Sequence, residues 1–321
     1  MLTIWSNTRL PEAASARLAA GVSSHRLLLS PQPTGKLAAG GSDPLLAEAD
    51  IAYGQPDPDQ LLNLPRLRWI HLSSAGYTPY DRPDIRDVLR RRGAILTNSS
   101  CVFDEPCAEH VLAFMLAQAR ALPASLADQF GPRAWPVGEL RPKCRLLIGQ
   151  SVLLLGFGAI ARRLAELLQP LRVNVVGVRQ KPRGNEPIPV HPVPELEKLL
   201  PPADHVVNIL PDNSATKHFM NSARFTAMKR GAIFYNIGRG ATVDQDALMK
   251  SLHAGDLAAA YLDVTDPEPL PPDHPLWRTP NCFITPHTGG GHFDESDRGV
   301  NHFLQNLQLF TSAQPLLNRI I

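Results

Sequence analysis

The sequence predicts an α/β protein with two domains, each built on a parallel β-sheet. Three observations lead to this prediction. The chain has 321 residues, 44% of them hydrophobic, which is enough for two domains with sizeable cores. Short apolar runs alternate with amphipathic helical stretches along the chain. After an irregular stretch at residues 131–149 the pattern becomes regular again from residue 151, with six apolar runs typical of buried strands.

The first hundred residues predict a small parallel α/β domain. A helix is expected at residues 11–19, and a longer one at residues 106–121, with Asp104 as its N-cap and Pro106 in its first turn. The predicted strands are residues 2–5, 26–29, 51–53, 67–71 and 94–97.

The second half of the chain predicts a doubly wound nucleotide-binding domain. Asp244 is expected to cap a helix that ends near Gly255. A final helix, residues 297–311, is expected to pack on the first domain. That domain is then discontinuous, with residues 1–98 and 290–321 in one domain and 99–289 in the other. The predicted strands are residues 152–155, 173–178, 205–210, 232–237, 258–262 and 282–285.

Composition argues against several classes of function. The net charge is only +2, which gives no reason to expect a nucleic-acid or membrane partner. None of the four cysteines forms a CxxC pair, so we expect no metal site and no disulfide scaffold, and a reducing, cytoplasmic location. The N-terminus has no pattern of a signal peptide, and no run of about 18 apolar residues predicts a membrane span.

A glycine-rich turn predicts a dinucleotide site. The strand at residues 152–155 runs into Gly156-Phe157-Gly158-Ala159-Ile160-Ala161, a GxGxxA pattern, and a helix follows. The first glycine permits the tight turn, the second lets a pyrophosphate approach the backbone, and Ala161 keeps the helix close to the strand. The free N–H groups of the helix N-terminus face the phosphates. The pattern alone is weak, but its position between a strand and a helix makes it informative.

Arg179 predicts the type of nicotinamide cofactor. An NAD site places an acidic residue about 20 positions after the glycine turn, where it binds the ribose 2′-hydroxyl. Here the second strand ends in Val178-Arg179-Gln180-Lys181, without a carboxylate. A guanidinium at this point can pair with a 2′-phosphate, so we predict that NADP(H) is preferred and that NAD(H) is possible. The alternative is a solvated basic loop.

Three polar residues follow three strands of the predicted sheet. Arg239 comes after the fourth strand, Asp263 after the fifth and His287 after the sixth. Ligands bind beyond the carboxyl ends of strands in open α/β sheets, so this placement predicts an active site.

The motifs together resemble those of the D-isomer-specific 2-hydroxyacid dehydrogenases, in particular the glyoxylate and hydroxypyruvate reductase branch. The resemblance covers residues 65–310 and implies a doubly wound dinucleotide-binding (Rossmann) domain with a smaller, flavodoxin-like substrate domain. It is carried by Ala108-Glu109-His110, the GxGxxA turn, Leu210-Pro211 with Thr216, Met228-Lys229-Arg230-Gly231-Ala232, Asn236-Ile237-Gly238-Arg239-Gly240, Leu262-Asp263-Val264 with Glu268-Pro269-Leu270, and Thr285-Pro286-His287.

The catalytic set implied by the resemblance is Arg239, Glu268 and His287. Reducing a 2-oxo acid requires a cation for the carboxylate and carbonyl, and Arg239 suits that role in substrate binding and catalysis. It also requires a proton donor, and His287 suits that role because histidine titrates near neutral pH. Glu268 would orient the imidazole and favour its protonated form. Each could instead be structural: Arg239 in an ion pair, His287 in the core, and Glu268 as a solvated loop acid.

Further contacts follow from the resemblance. Asp263 would bind the nicotinamide carboxamide; the alternative is a helix cap or a loop acid. Ser74, Ala75 and Gly76 would bind the substrate, because small residues let backbone N–H groups approach a carboxylate. Tyr77 and Thr78 replace a Val-Asp pair that is common in relatives, which leaves the preferred acid open, and Tyr77 or Trp135 could line the pocket or only pack. The other implied cofactor contacts are Phe157, Ala159, Ile160, Gln180, Leu210, Pro211, Thr216, Ile237, Gly238 and Gly289.

The predicted function is hydride transfer between NADP(H) and a small 2-oxo or 2-hydroxy acid such as glyoxylate or hydroxypyruvate. The alternatives are a nucleotide-sensing binding protein on the same fold, a dehydrogenase of a bulkier 2-hydroxy acid, or a formate dehydrogenase. Glu268 counts against the last of these, because formate enzymes of this superfamily resemble a version with glutamine at that position. The long helix from Pro106 predicts a homodimer by analogy with the family.

Overall fold

The structure of the protein is a computed structural model that describes residues 1–36 and 38–321. The chain divides into two compact units, residues 1–103 with 291–321 and residues 104–290. The boundaries suggested by the sequence lie five residues and one residue earlier in the chain. No helix in the described part of the chain has both the length and the apolar character that crossing a membrane requires.

The first unit is built on five parallel strands in the order β2-β1-β3-β4-β5, as in flavodoxin-like sheets. Helix α1 (Glu12–Gly21) follows β1, and α2 (Pro83–Arg92) precedes β5. The strands are β1 (Thr3–Thr8), β2 (Arg26–Thr34), β3 (Ile51–Gly54), β4 (Trp69–Leu72) and β5 (Ile95–Thr97).

The long helix α3 (Ser100–Ala119) begins six residues earlier than the sequence predicts. Pro106 lies inside the helix rather than in its first turn, and Asp104 is a helical residue whose carboxylate accepts from Glu105 N–H. A proline inside a helix removes one backbone N–H donor. Val102, which is buried, favours continuing the helix through this position. The predicted N-cap was therefore wrong.

The second unit is built on seven parallel strands in the order β12-β11-β10-β9-β6-β7-β8. The order reverses between β6 and β9, which is the switch point of a doubly wound sheet. Strand β8 was not predicted, because it is a three-residue segment in a proline-rich stretch. The strands are β6 (Ser151–Leu155), β7 (Asn174–Arg179), β8 (Val190–Pro192), β9 (His205–Asn208), β10 (Ala232–Asn236), β11 (Leu257–Leu262) and β12 (Cys282–Ile284).

Helices connect most of these strands. They are α4 (Leu122–Phe130), α5 (Val137–Leu140), α6 (Ala159–Leu168), α7 (Leu196–Leu199), α8 (Ser222–Ala227) and α9 (Gln245–His253). The Asp244 side chain accepts from Ala247 N–H, so the predicted N-cap of α9 is confirmed. Shorter 3-10 helices occupy Pro44–Glu48, Gln60–Asn63, Thr78–Tyr80, Arg141–Lys143, Gln169–Leu171, Val193–Glu195, Gly240–Thr242 and Pro275–Arg278.

The last helix, α10 (Glu295–Thr311), belongs to the first unit and completes its core. Val300, Phe303 and Leu307 are buried against apolar residues of β1, α1 and β4. Phe303 stacks on both Tyr53 and Trp69, with ring centroids 4.4 Å and 5.3 Å apart. The prediction that this helix packs back on the first domain is confirmed.

Candidate active site

The loops that follow β6, β9 and β10 meet at the switch point of the seven-stranded sheet. Gly156, directly after β6, has a φ of +90°, which favours glycine strongly. A Cβ at Gly238 would lie 2.6 Å from the Leu210 carbonyl oxygen, so the loops after β9 and β10 can approach this closely only with glycine. Leu210, Ile237 and Gly238, which were predicted to contact the cofactor, therefore lie together at one edge of the sheet.

The start of α6 forms a cradle suited to a dinucleotide pyrophosphate. Gly158 is the N-cap residue, no side chain caps the helix, and a Cβ at Gly158 would meet no atom within 4 Å. Free N–H groups at a helix N-terminus, with open space in front of them, are what a phosphate requires. Ala159, Ile160 and buried Ala161 begin the helix. The residues present therefore fit the dinucleotide.

Phe157 differs from its neighbours in the glycine turn. Its side chain is buried, and a Cβ at Gly177 of β7 would lie 3.0 Å from its ring. Only the main chain of Phe157 can thus face a cofactor. Thr216 also serves the loop itself, because its hydroxyl donates to the Pro211 carbonyl at 2.6 Å.

Arg179 ends β7, as the sequence predicts, but a carboxylate lies beside it. Nη1 of Arg179 is 3.4 Å from Oε1 of Glu186. Glu186 also accepts from the main-chain N–H groups of Arg183, at 2.7 Å, and Gly184, at 2.8 Å, and these bonds hold the pKa of its carboxyl below the usual value. Gln180 is exposed beside them. The segment directly after Arg179 contains no carboxylate, but Glu186, seven residues further on, folds back beside the guanidinium.

Arg239 lies in the loop after β10, and buried polar residues hold its main chain. The Arg239 carbonyl accepts from Asn236 Nδ2 at 3.1 Å and from Thr242 Oγ1 at 2.6 Å. Its guanidinium donates to the Gly238 carbonyl at 2.6 Å. Within residues 1–36 and 38–321, no carboxylate forms a salt bridge with Arg239. A guanidinium has five N–H donors, so most of them remain for an anionic ligand.

His287 and Glu268 form a hydrogen-bonded pair. Nδ1 of His287 is 2.8 Å from Oε2 of Glu268, and the other carboxylate oxygen accepts from Thr265 N–H at 3.0 Å. Partial burial tends to raise the pKa of Glu268, but the bond and charge of His287, with smaller effects of Thr265 and Arg239, lower it overall. The pair leaves Nε2 of His287 as the ring nitrogen that can face a substrate, with 23% of the side chain exposed.

Asp263 is buried, with 4% exposure, at the end of β11. Its Oδ1 accepts from Thr285 Oγ1 at 2.6 Å and from Thr288 N–H at 2.9 Å, and its Oδ2 accepts from Gly289 N–H at 2.9 Å. Asp263 therefore holds the loop that carries His287. Among the described residues, no three metal-ligating side chains come together.

The predicted substrate residues follow β4 in the first unit. The Ser74 hydroxyl donates to the Gly76 carbonyl at 2.6 Å and accepts from Gln55 Nε2 at 2.9 Å. The Ala75 carbonyl accepts from Asn98 Nδ2 at 2.6 Å. Buried polar side chains thus hold this loop from beneath.

The role of two residues differs from what the sequence suggested, and a third was missed. Trp135 was considered as a pocket residue, but its side chain is 85% exposed. His110 of α3 was considered a packing or capping residue, yet its Nε2 lies 3.1 Å from Thr285 Oγ1. Its place in the Ala108-Glu109-His110 motif was the available signal. Glu186 had no signal at all, because its loop has no periodicity.

Comparisons with known proteins agree with this geometry. Residues 112–289 match the family described as D-isomer specific 2-hydroxyacid dehydrogenase, NAD binding domain. Glyoxylate/hydroxypyruvate reductase B of Escherichia fergusonii is 32% identical over 250 residues, covering 76% of this chain and 75% of the relative. Glyoxylate reductase of Aeropyrum pernix is 33% identical over 279 residues, covering 83% of this chain and 81% of the relative.

A solved structure extends the similarity to the whole chain. The D-isomer specific 2-hydroxyacid dehydrogenase from Xanthobacter autotrophicus Py2, in complex with NADPH and MES, superimposes with a TM-score of 0.81 at 25% identity, covering 100% of this chain and 98% of that one. The chain therefore belongs to the D-isomer specific 2-hydroxyacid dehydrogenases, oxidoreductases of hydroxy acids that use a nicotinamide dinucleotide.

Proposed function

We propose that this enzyme reduces a small 2-oxo acid, such as glyoxylate or hydroxypyruvate, with NADP(H). The observation that carries the proposal is the pairing of His287 with Glu268 at 2.8 Å, in the same unit as Arg239, which forms no salt bridge with a carboxylate in the described part of the chain. An imidazole held by a carboxylate and a guanidinium with donors to spare are the proton donor and the anion site that reduction of a 2-oxo acid requires. The names of the curated relatives point to the same class of substrate.

Each proposed catalytic residue has a distinct role. Arg239 binds the substrate carboxylate and carbonyl oxygens and stabilises the negative charge that develops on the carbonyl oxygen. His287 donates a proton from Nε2 to that oxygen and takes it back in the oxidation direction. Glu268 orients the ring through its hydrogen bond with Nδ1. The bound nicotinamide supplies the hydride. Ser74, Ala75 and Gly76 bind the substrate carboxylate through main-chain N–H groups.

The test of this proposal is a spectrophotometric screen of glyoxylate, hydroxypyruvate, pyruvate and bulkier 2-oxo acids with NADPH and with NADH. We expect turnover of the small acids, and His287→Ala should lower kcat by about 10²–10⁴-fold without loss of cofactor binding. Binding of NADPH without oxidation across the whole panel would instead favour a nucleotide sensor. Turnover near the wild-type rate in His287→Ala would rule out His287 as the proton donor.

The preference for NADP(H) is proposed from Arg179. Its guanidinium, 24% exposed, ends β7 next to the strand that leads into the Gly156 turn. Arg179→Ala should raise the KM for NADPH and leave the KM for NADH nearly unchanged, because only NADPH carries the 2′-phosphate. Arg183→Ala is the matched control, since Arg183 is exposed in the same loop. Equal kcat/KM for both cofactors in the wild type would contradict the proposal.

A substitution of Glu186 provides a second test of the cofactor preference. Its oxygens already accept two main-chain N–H groups and face Arg179. We infer that Glu186 holds the loop rather than the ribose. If Glu186 were instead the acceptor for the ribose 2′-hydroxyl, Glu186→Gln would weaken NADH binding and improve NADPH binding. Under our proposal, this change leaves NADH binding nearly as it was, so the KM for NADH distinguishes the two roles.

We propose that the enzyme is a homodimer, and that the segment after α3 forms the interface. Leu122, Leu126 and Phe130 lie along α4 with 48%, 50% and 80% exposure, and Trp135 and Val137 follow with 85% and 60%. Phe130, Trp135 and Val137 line a groove of 760 Å³. Contiguous exposed apolar surface of this kind marks protein interfaces.

Light scattering tests the proposed dimer. It should give twice the mass of the chain for the wild-type protein, and Phe130→Glu should give a monomer. A wild-type monomer would contradict the proposal.

A further inference from the structure

A chain of side-chain hydrogen bonds joins α3 to the loop that carries His287. His110 of α3 is the first member, Thr285 at the end of β12 the second, and Asp263 at the end of β11 the third. Nε2 of His110 lies 3.1 Å from Thr285 Oγ1, and Thr285 Oγ1 lies 2.6 Å from Asp263 Oδ1. All three residues belong to the second unit.

The direction of these bonds follows from the donors available. Both oxygens of Asp263 accept from main-chain N–H groups, so the carboxylate is an acceptor. Thr285 has one hydroxyl proton and donates it to Asp263. His110 must then donate to Thr285, which requires the proton of its neutral ring to lie on Nε2. Burial lowers the pKa of His110, against a smaller opposite effect of Asp263, so the ring stays neutral.

Asp263 in turn bonds the residues on both sides of His287. It accepts from Thr285 before the histidine and from Thr288 and Gly289 after it, and its carbonyl accepts from the His287 main-chain N–H at 2.9 Å. His287 has a φ of +53°, in the left-handed region that costs a non-glycine residue about 1 kcal/mol or more. Such a conformation persists only where neighbouring contacts hold it.

The His110 ring itself is held in place by packing. It lies edge-on to the Phe114 ring, with centroids 4.3 Å apart, and 20% of its side chain is exposed. Its Nε2 also lies 3.5 Å from Asp263 Oδ1, so the same N–H points towards both acceptors. A ring with this little freedom can fix the rotamer of Thr285.

We propose that His110 and Thr285 are positioning residues, which act through Asp263 to hold His287 in the geometry for proton transfer. This inference rests on the proposed function, in which His287 is the proton donor. It assigns a role in activity to a helix residue that touches none of the three catalytic side chains.

Two substitutions should lower kcat if the proposal is right, and a third should restore it. Thr285→Val keeps the side-chain shape and removes the hydroxyl; His110→Phe keeps a ring and removes the donor. Each should lower kcat for glyoxylate reduction by about 10-fold to 100-fold, because small displacements of a catalytic group are costly. The KM for the cofactor should change little. His110→Gln, which retains an N–H donor, should recover most of the lost kcat.

Thr279→Val is the matched control. Thr279 is a buried threonine of the same unit, and its hydroxyl donates to the Pro275 carbonyl at 3.1 Å, outside the chain of bonds. It makes the same chemical change with the same kind of stability loss, and kcat should stay at the wild-type value. If it loses as much kcat as Thr285→Val, a general loss of stability explains both and the proposal is wrong.

A spectroscopic measurement on the wild-type protein does not depend on the folding of any variant. In ¹H–¹⁵N spectra of the imidazole rings, His110 should show the proton on Nε2; a proton on Nδ1 would overturn the chain of bonds.

The positioning role and the proposed function can fail independently of each other. If His287→Ala is inactive while Thr285→Val and His110→Phe keep wild-type kcat, the positioning role fails and the proposed function stands. If His287→Ala is active, the proposed function itself fails.

Discussion

The loops after β4 in the first unit and after β10 to β12 in the second unit differ in the side chains that they carry, although buried polar side chains hold both. The second unit places ionisable side chains there, Arg239 and His287 among them, and holds their main chains with buried Asn236 and Asp263. The loop after β4 carries only small residues at positions 73–76, and buried neutral side chains hold it.

Under the proposed function, the side chains of Arg239 and His287 take part in the chemistry, so changing them should affect turnover most. Positions 73–76 of the first unit carry no charged side chain, so the proposed role of this loop uses its main chain and depends on the side chains beneath it. Gln55 bonds Ser73 and Ser74, and Ser99 donates from its main chain to the Ser74 carbonyl. Changes there should affect substrate binding rather than turnover.

After that of His287→Ala, the largest expected effect is that of Arg239→Lys. Lysine keeps the positive charge but cannot bind two oxygens in one plane. We expect kcat/KM for glyoxylate to fall by about 10²–10³-fold. Arg230→Lys is the control, because Arg230 is exposed in the turn before β10, and it should leave steady-state kinetics unchanged. If charge alone were sufficient, Arg239→Lys would keep most of the activity and the proposed role of the guanidinium would be wrong.

The next effect concerns the charge of Glu268. Its pKa is lowered in the folded protein, so it is ionised throughout the neutral range. Glu268→Gln keeps the size of the side chain but replaces the ionised carboxylate that accepts the hydrogen bond of His287 with a neutral amide. Reduction should slow by about 10-fold to 100-fold, because the ring loses the charged acceptor that orients it. A wild-type kcat in this variant would contradict the role of Glu268.

The sequence predicted the fold well because strands and helices are encoded locally. Eleven of the twelve observed strands were expected from apolar runs, and β8 was missed because prolines interrupt it. The doubly wound sheet and the placement of Arg239, Asp263 and His287 at carboxyl ends follow from the order of elements alone. Such features need no knowledge of which distant residues meet.

The supporting contacts could not be predicted in the same way. His110 and Thr285 are 175 positions apart, and Gln55 and Ser74 are 19 apart. No periodicity relates such pairs, because their meeting depends on the register of the sheet and on loop conformation. Glu186 was missed for the same reason. The start of α3 was misplaced because a proline is compatible both with the first turn of a helix and, at a cost, with its interior.

His71 is one of the buried, uncharged side chains of the first unit, and its burial predicts that the protein loses stability in acid. Burial lowers the pKa of His71 well below 6.5, with a smaller effect of His302, and His71 Nε2 lies 3.2 Å from Ser99 Oγ. Because the folded-state pKa is the lower one, the unfolded chain binds the proton first as pH falls. Stability is therefore complete above 6.5 and declines below it.

Denaturant unfolding measures this decline. One pH unit below the ordinary histidine value, His71 alone should cost about 1.4 kcal/mol of the free energy of unfolding. His71→Gln should be less stable at neutral pH but should show a flatter dependence on pH. His253→Gln, a change at an exposed histidine of the second unit, should keep the wild-type slope. A wild-type slope in His71→Gln would show that this histidine is not the titrating group.

The smallest expected effect is also the most direct test of the loop after β4. Asn98→Ala removes the donor to the Ala75 carbonyl, so the main chain of residues 74–76 loses one of its supports. The KM for glyoxylate should rise several-fold while kcat and the KM for the cofactor change little, because in the proposed function the loop binds substrate and takes no part in proton transfer. The loss of a buried hydrogen bond should also lower stability by about 1–3 kcal/mol.

Asn306→Ala separates the loss of binding from the loss of stability. Asn306 is a fully buried asparagine of the same unit, and its amide donates to and accepts from the main chain of Leu317. Its replacement should destabilise the protein to a similar extent and leave the KM for glyoxylate unchanged. If both variants raise that KM equally, then the loop after β4 responds only to the stability of its unit. The contrast between a unit that binds through its main chain and one that reacts through its side chains would then have to be given up.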